Sequence, residues 1–469
     1  MGSDGRDVPA KELPELSIVE ASALIRRRAI SPVELVRAQL DRIAALDVAL
    51  HAFVAVADDA LETATRADAE IGAGEWRGPL HGIPFAVKDL IDVGGLRTSC
   101  GSRLTEGHVA GSDAAVVARL RSAGAIYLGK LALTEFGTGG PAFDLPWPPV
   151  RNPWNLDLEA GGSSSGPAAA VAAGLVQLAI GTDTAGSIRA PATLCAVTGM
   201  KATYGRVSRA GTFPLAPSLD HVGPLTRTID DNILALEAMS ETAPAGGGLS
   251  LSDSVPSIAG LSIGIIRDPD AGAGAAPEQV EAFERAVAVL ADLGATLREV
   301  RIAPLAEWMA CGEAILASEA YAIHRPDLTE RPQAYSVRTR SSLARGAAVT
   351  EGQIAEARMA LQKLIAGLDG AFSEVDALVA LSTARLPRRL DAIDTEPVAA
   401  DTQFRIPFNL AGAPALALPT GFTSEGLPLG MQIVTRKWNE ALAYNIGRAY
   451  EEATGWTERR PRLPGTENT

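Results

Sequence analysis

Residues 161–189 read GGSSSGPAAAVAAGLVQLAIGTDTAGSIR, and no other stretch limits the fold so sharply. Apart from Gln177, the middle portion PAAAVAAGLVQLAIG carries only small or aliphatic side chains. Such a segment must be buried, and its small side chains let neighbouring backbone come close. Pro167 suits a helix start and Gly174 a stop, so the spacing predicts a buried helix followed by a buried strand. Glycine- and serine-rich turns close both ends. The helix and strand would hold two hydroxyl-bearing turns at a set separation, with 24 positions from Ser163 to Ser187. The plainer alternative is a core hairpin with two ordinary turns.

The rest of the chain alternates helix and strand. Residues 17–58 read as helical, and SPVELVRAQLDRIAAL opens with a capping box of Ser31 and Glu34 around Pro32. This region is expected to form an N-terminal helical arm, residues 1–75, packed on the body. GIPFAVKDLIDV (82–93) is a short apolar, strand-like run that contains Lys88. A helix over 113–122, stopped by Gly124, precedes the strand AIYLG. SIGIIRD, an amphipathic helix over 277–294 and ATLREVRI form a βαβ unit, which requires a parallel strand pair. DALVALS and PALALPTGF read as buried strands, and LPLGMQIV pairs with the latter across the turn SEGLP. The Gly/Ser/Pro-rich stretch 243–260 reads as a loop within one body. Near-continuous apolar strands need cover on both faces. The expected fold class is therefore α/β: a large mixed β-sheet covered on both faces by α-helices, with residues 76–469 as one catalytic domain.

Composition removes several functions. A formal net charge of −14 argues against nucleic-acid binding through the phosphate backbone. Cys100, Cys195 and Cys311 are odd in number and far apart, so no disulfide framework is expected. The five histidines have no metal-ligand spacing, and neither a metal nor a cofactor is expected. No apolar leader or membrane-length run is visible, and a cytoplasmic protein without membrane association is expected. No G-x-x-x-x-G-K-[ST] pattern supports a phosphate loop.

In GTDTAGSIR, small residues precede Ser187. Successive backbone N–H groups in such a turn can converge on one point, as an oxyanion requires. A serine nucleophile needs a base, and no histidine occupies an informative position. Lys88 emerges from the apolar run IPFAV, where desolvation would favour its neutral amine. A neutral lysine can take a proton and return it to a leaving amine. GGSSSG would bring a second hydroxyl to relay that proton. Taken singly, a Gly/Ser loop is most often only a turn, and a lysine at a strand end is most often solvated.

Order and spacing change that weighting. GIPFAVKD, then GGSSSG, then GTDTAGSIRAPA resembles the amidase signature family of serine hydrolases. GMKATYGRVSRAGTFPLAPSLDHVGPLTRT and IPFNLAGAPALALPTGFTSEGLPLGMQI continue the likeness, which runs from about residue 15 to 455. The resemblance implies the amidase signature fold and a Ser–cisSer–Lys triad on Ser187, Ser163 and Lys88, with a cis or strained peptide before Ser163. It implies an oxyanion hole from the N–H groups of Thr184, Ala185, Gly186 and Ser187. Two positions depart from the family pattern: Ala185 stands where glycine is common, and Pro167 where serine is frequent. Neither touches the triad.

Around this core, Asp183 and Arg189 are expected to support the site by ion pairing or hydrogen bonding, and Ser164 to shape the loop. Phe143, Trp147, Arg209 and Gln403 are candidates for the substrate pocket, with structural or surface roles equally open. The resemblance implies C–N bond hydrolysis through an acyl-enzyme on Ser187. The first reading is a broad bacterial amidase for a small-molecule amide or carbamate with an apolar or aromatic group, with aryl acylamidase and urethanase activity included. Such an enzyme would be a monomer or homodimer. VSRAGTFPLAPSLDHVGP also looks like the ureide (carboxybiuret-type) hydrolases. ATYGRVSR fits the glutamine-hydrolysing component of a tRNA-dependent amidotransferase, against which stand TAG, APA and FRIPFNLAG.

Overall fold

The computed structural model describes residues 12–241, 248–249, 257–267, 274–393 and 404–464. Thirteen strands are present among them. They are β1 (Phe53–Val56), β2 (Pro84–Lys88), β3 (Ile126–Leu131), β4 (Arg151–Asn152), β5 (Asn155–Glu159), β6 (Leu178–Asp183), β7 (Thr198–Lys201), β8 (His221–Thr226), β9 (Ser262–Ile265), β10 (Thr296–Glu299), β11 (Ala377–Leu381), β12 (Ala415–Phe422) and β13 (Pro428–Thr435). Eleven of them form one sheet in the order β1-β3-β2-β6-β8-β7-β12-β13-β11-β9-β10, and β4 and β5 form a separate two-stranded ribbon.

The sheet is mixed. β3, β2 and β6 run parallel, as do β11, β9 and β10, while β6/β8, β7/β8, β7/β12, β12/β13 and β11/β13 are antiparallel. The parallel β9/β10 pair, joined through the helix Pro277–Asp292, is the expected βαβ unit. Side chains alternate across each strand. Accordingly, Phe85 and Val87 enter one core and Ala86 the other, and likewise Leu178 and Ile180 oppose Ala179. The sheet thus has an apolar core on each face.

One expectation is corrected. Residues 17–58 are not helical throughout. The helices Ile18–Arg26 and Pro32–Leu50 carry capping boxes at Ser17 and Ser31. The second ends at His51, which takes φ +58°, and Phe53–Val56 becomes β1, antiparallel to β3 at the sheet edge. The sequence FVAV has the aromatic and β-branched residues that suit a strand, and an open edge partner decides the matter. The stretch 243–260 lies largely outside the described residues.

The opening stretch folds as a helix, Ser165–Ala172, and strand β6, all buried. The helix lies across β2, β6 and β8. Pro167 sits in its first turn, where a missing N–H costs nothing. Gly181 in β6 permits the close approach: a Cβ there would stand 2.9 Å from Ser164 Oγ. No helix among the described residues is long and apolar enough to cross a membrane.

Candidate active site

β2 ends at Lys88, whose side chain is fully buried. Its Nζ lies 2.7 Å from Ser163 Oγ, 3.0 Å from Ser164 Oγ and 2.8 Å from Thr182 Oγ1. Burial lowers its pKa from 10.5 to about 7, partly offset by the Asp183, Asp220 and Cys100 side chains. Burial therefore favours the neutral amine far more than in a solvated lysine. Ser164 Oγ donates to Thr182 O (3.1 Å), so towards Lys88 it accepts. A neutral amine has two hydrogens and one lone pair. With hydrogens given to Ser164 and Thr182, the lone pair faces the Ser163 hydroxyl.

The Gly162–Ser163 peptide is cis. Thr134 N donates to Ser163 O, and Gly137, at φ +79°, turns so close that a Cβ would stand 3.4 Å from Ser163 Oγ. Ser164 N donates to Ser187 O at 3.2 Å, which joins the two serine turns directly. Ser163 and Ser164 are buried, whereas Ser187 is partly exposed and its hydroxyl has no hydrogen-bond partner among the described residues. The structure thus gathers Lys88, Ser163, Ser164 and the Ser187 turn.

The Ser187 turn is held from beneath. Asp183 accepts from the amides of Gly186 (2.7 Å), Ile188 (3.1 Å) and Arg189 (3.4 Å). Its carboxylate pairs with Arg189 Nε at 3.0 Å and Nη2 at 3.1 Å, both side chains fully buried. Burial alone would raise the Asp183 pKa, but Arg189 holds the carboxyl far below the usual range. Arg189 also donates to Gln432 Oε1, Arg405 O and Asn409 Oδ1, and Asn409 Nδ2 donates to Asp183 Oδ1 (2.8 Å). Removing one partner of such a pair strands a buried charge. Arg189→Met is expected to lower unfolding stability by about 3–5 kcal/mol, read from urea denaturation. A loss under about 1 kcal/mol would show the pair to be dispensable.

This arrangement alters one expectation. The Gly186 N–H, expected in the oxyanion hole, donates to Asp183 Oδ1 at 2.7 Å. Gly186 has φ +112°, and a Cβ would collide with the Arg405 side chain, so this turn requires glycine. The amides of Thr184, Ala185 and Ser187 have no acceptor among the described residues. Ala185 does not take a positive φ, so its methyl brings no backbone strain.

A cavity of about 430 Å³ adjoins Thr182, Thr184 and Gly137. Leu90, Phe136, Phe213, Pro214, Leu215 and Val222 supply apolar walls, with Arg209, Asp220 and His221 among the polar ones. The Phe136 and Phe213 rings are 5.1 Å apart. Arg209 is the sequence candidate found here. Its guanidinium donates to Pro217 O and lies 4.6 Å over the Tyr204 ring. Phe143 and Trp147 do not line this cavity. Asp144 is anchored by Val337 N and Arg103, which leaves Phe143 54% exposed. Trp147 faces a separate narrow crevice beside Gly161 and Ser165. Gln403 lies outside the described residues. His221 was not singled out by spacing. It is buried and kept neutral, with Nδ1 2.6 Å from Leu219 O and Nε2 3.3 Å from Lys201 Nζ, so it is already engaged.

A family model described as Amidase matches residues 34–443. The chain is 38% identical to a glutamyl-tRNA(Gln) amidotransferase subunit of Moorella thermoacetica, over 96% of this chain and 99% of that one. Among solved structures, it is similar to native peptide amidase from Stenotrophomonas maltophilia, with TM-score 0.84, 29% identity, and 97% and 100% of the two chains covered. A bacterial aryl acylamidase of the amidase signature enzymes is similar at TM-score 0.83 and 26% identity, covering 94% and 97%.

Proposed function

We propose, from the premise that this chain belongs to the amidase signature family and hydrolyses C–N bonds, that it cleaves neutral amides bearing an aromatic or apolar acyl group. The observation that carries the chemistry is the buried Lys88 amine, 2.7 Å from Ser163 Oγ. In this reading Ser187 Oγ attacks the carbonyl carbon, and its proton passes through Ser163 to Lys88. The amides of Thr184, Ala185 and Ser187 stabilise the oxyanion, where each donor is worth roughly 10²–10³ in rate. As the C–N bond breaks, the proton returns through Ser163 to the leaving nitrogen. Water then attacks the acyl-enzyme by the same relay and frees the acid and Ser187.

The cavity supports the substrate class. Both of its charged groups are engaged: Arg209 as described, and Asp220 by Thr184 Oγ1, Leu215 N and Ala216 N. A charged ligand would have to displace these bonds, whereas the Phe136–Phe213 wall suits a ring. Phe213→Ala is expected to raise KM for an aryl amide about 10-fold with little change for acetamide. Equal effects on both would remove Phe213 from the acyl site. A carbamate presents the same carbonyl, so urethanase activity belongs within this proposal, and a ureide is a neighbouring case.

The sequence comparison favours a second reading, a glutamine-hydrolysing protein that works with partners: identity to the amidotransferase chain exceeds that to the peptide amidase. Assay of the purified chain alone separates the two. Turnover of an aryl amide, with glutamine untouched, supports the first. Glutamine hydrolysis, or no turnover without added partner chains, overturns it in favour of the second.

A further inference from the structure

Asp220 and Thr184 occupy the same cavity wall but belong to different segments. Thr184 Oγ1 donates to Asp220 Oδ1 at 2.6 Å. Asp220 also accepts from Leu215 N (2.9 Å) and Ala216 N (3.1 and 3.2 Å). One carboxylate therefore ties the turn that carries the free amides of Thr184 and Ala185 to the apolar wall at Phe213–Leu215. Asp183 holds that turn from beneath, through Gly186, Ile188 and Arg189. The Thr184–Asp220 bond holds its leading end through the Thr184 side chain, while the Asp183 carbonyl just before it accepts from Asn409 Nδ2 at 3.1 Å and lies 3.2 Å from His221 Nδ1.

We propose that Asp220 is a positioning residue: through the Thr184 hydroxyl it holds the oxyanion-binding amides against the acyl pocket, so that pocket contacts are expressed in kcat. This inference rests on the amide-hydrolase reading. Asp220 touches no reacting atom. Its carboxylate sets where the Thr184 and Ala185 amides stand, and small errors in donor placement are costly because transition-state stabilisation depends on preorganised geometry. Substrate that presses on Leu215 loads the same carboxylate that fixes Thr184. The charged groups facing Asp220 are Arg209 and Lys88. The groups facing Lys88 are Asp183, Asp220 and Cys100.

The test is kcat and KM against pH for the full chain and for Thr184→Val, Thr184→Ser and Asp220→Asn, on one aryl amide. Thr184→Val and Asp220→Asn are expected to lower kcat about 30- to 100-fold with KM within about threefold. Thr184→Ser, which keeps the hydroxyl, should recover kcat to within about fivefold of the parent. Asp220→Asn removes a negative charge that favours the Lys88 ammonium. Its acidic limb should therefore move to lower pH, while that of Thr184→Val stays in place. A purely structural role predicts a loss of kcat in Thr184→Val that Thr184→Ser does not rescue in this selective way. Folded variants that keep kcat within threefold of the parent, or a Thr184→Ser that recovers nothing, would overturn the proposal. If Asp220→Asn does not fold, the Thr184 pair decides alone. Parent turnover that survives Ser187→Ala overturns the underlying reading instead, and the positioning role falls with it.

Discussion

Ser187→Ala should lower kcat/KM by about 10⁴-fold or more, with the melting temperature unchanged. Three serines crowd this site, and their surroundings give them different work. Ser164 is buried and gives its proton to Thr182 O, so it cannot attack a substrate without breaking that bond. Ser163 is buried against Lys88 and covered by the turn at Gly137. Ser187 is partly exposed, its hydroxyl is unengaged among the described residues, and it stands in the turn where the Thr184, Ala185 and Ser187 amides lack acceptors among those residues. A nucleophile must reach both the carbonyl carbon and the proton path, and Ser187 has that freedom. The substitution deletes one oxygen from a partly exposed position, so the fold should tolerate it. Intact-mass measurement during turnover of a slow aryl ester or amide should show an acyl adduct on the parent chain and none on the variant. Turnover within tenfold of the parent would move the nucleophile to Ser163.

Much of this site was legible because it is local. The run IPFAVK announces a buried strand ending in a lysine, and the two serine turns flank a segment too apolar to be anywhere but inside. The capping boxes at Ser17 and Ser31 are likewise short-range signals. What stayed hidden depends on distant partners. Asn409 and Gln432 meet Asp183 and Arg189 across more than 200 residues, and no spacing rule joins them. The Gly186 amide donates to Asp183, and Arg405, distant in sequence, packs where a Cβ at Gly186 would stand. Phe136 and Phe213 become a pocket wall only when their loops meet, while the more conspicuous Phe143 and Trp147 are drawn elsewhere by Asp144 and the crevice beside Gly161. β1 needed an open sheet edge to outweigh the helical pattern before it.

The second large effect concerns Lys88. Its amine must be neutral to take the Ser187 proton, and burial lowers its pKa to about 7. Below that value the ammonium dominates and the base is lost. kcat/KM for an uncharged amide should therefore rise with pH through an apparent pKa of about 7 and level off above it, since the free enzyme's base governs that ratio. The same depression bears on stability. Between about 7 and 10.5 the unfolded chain holds this proton more readily than the fold, so this group's contribution to stability rises with pH over that window and is flat below it. Lys88→Ala should lower kcat by about 10³–10⁴-fold and abolish the limb near pH 7. Lys88→Arg should fare no better, because guanidinium stays protonated and cannot accept. If instead the parent shows its limb near pH 10, the amine is as basic as a solvated lysine and the desolvation account fails. If Lys88→Ala keeps the limb near 7, another group supplies the base.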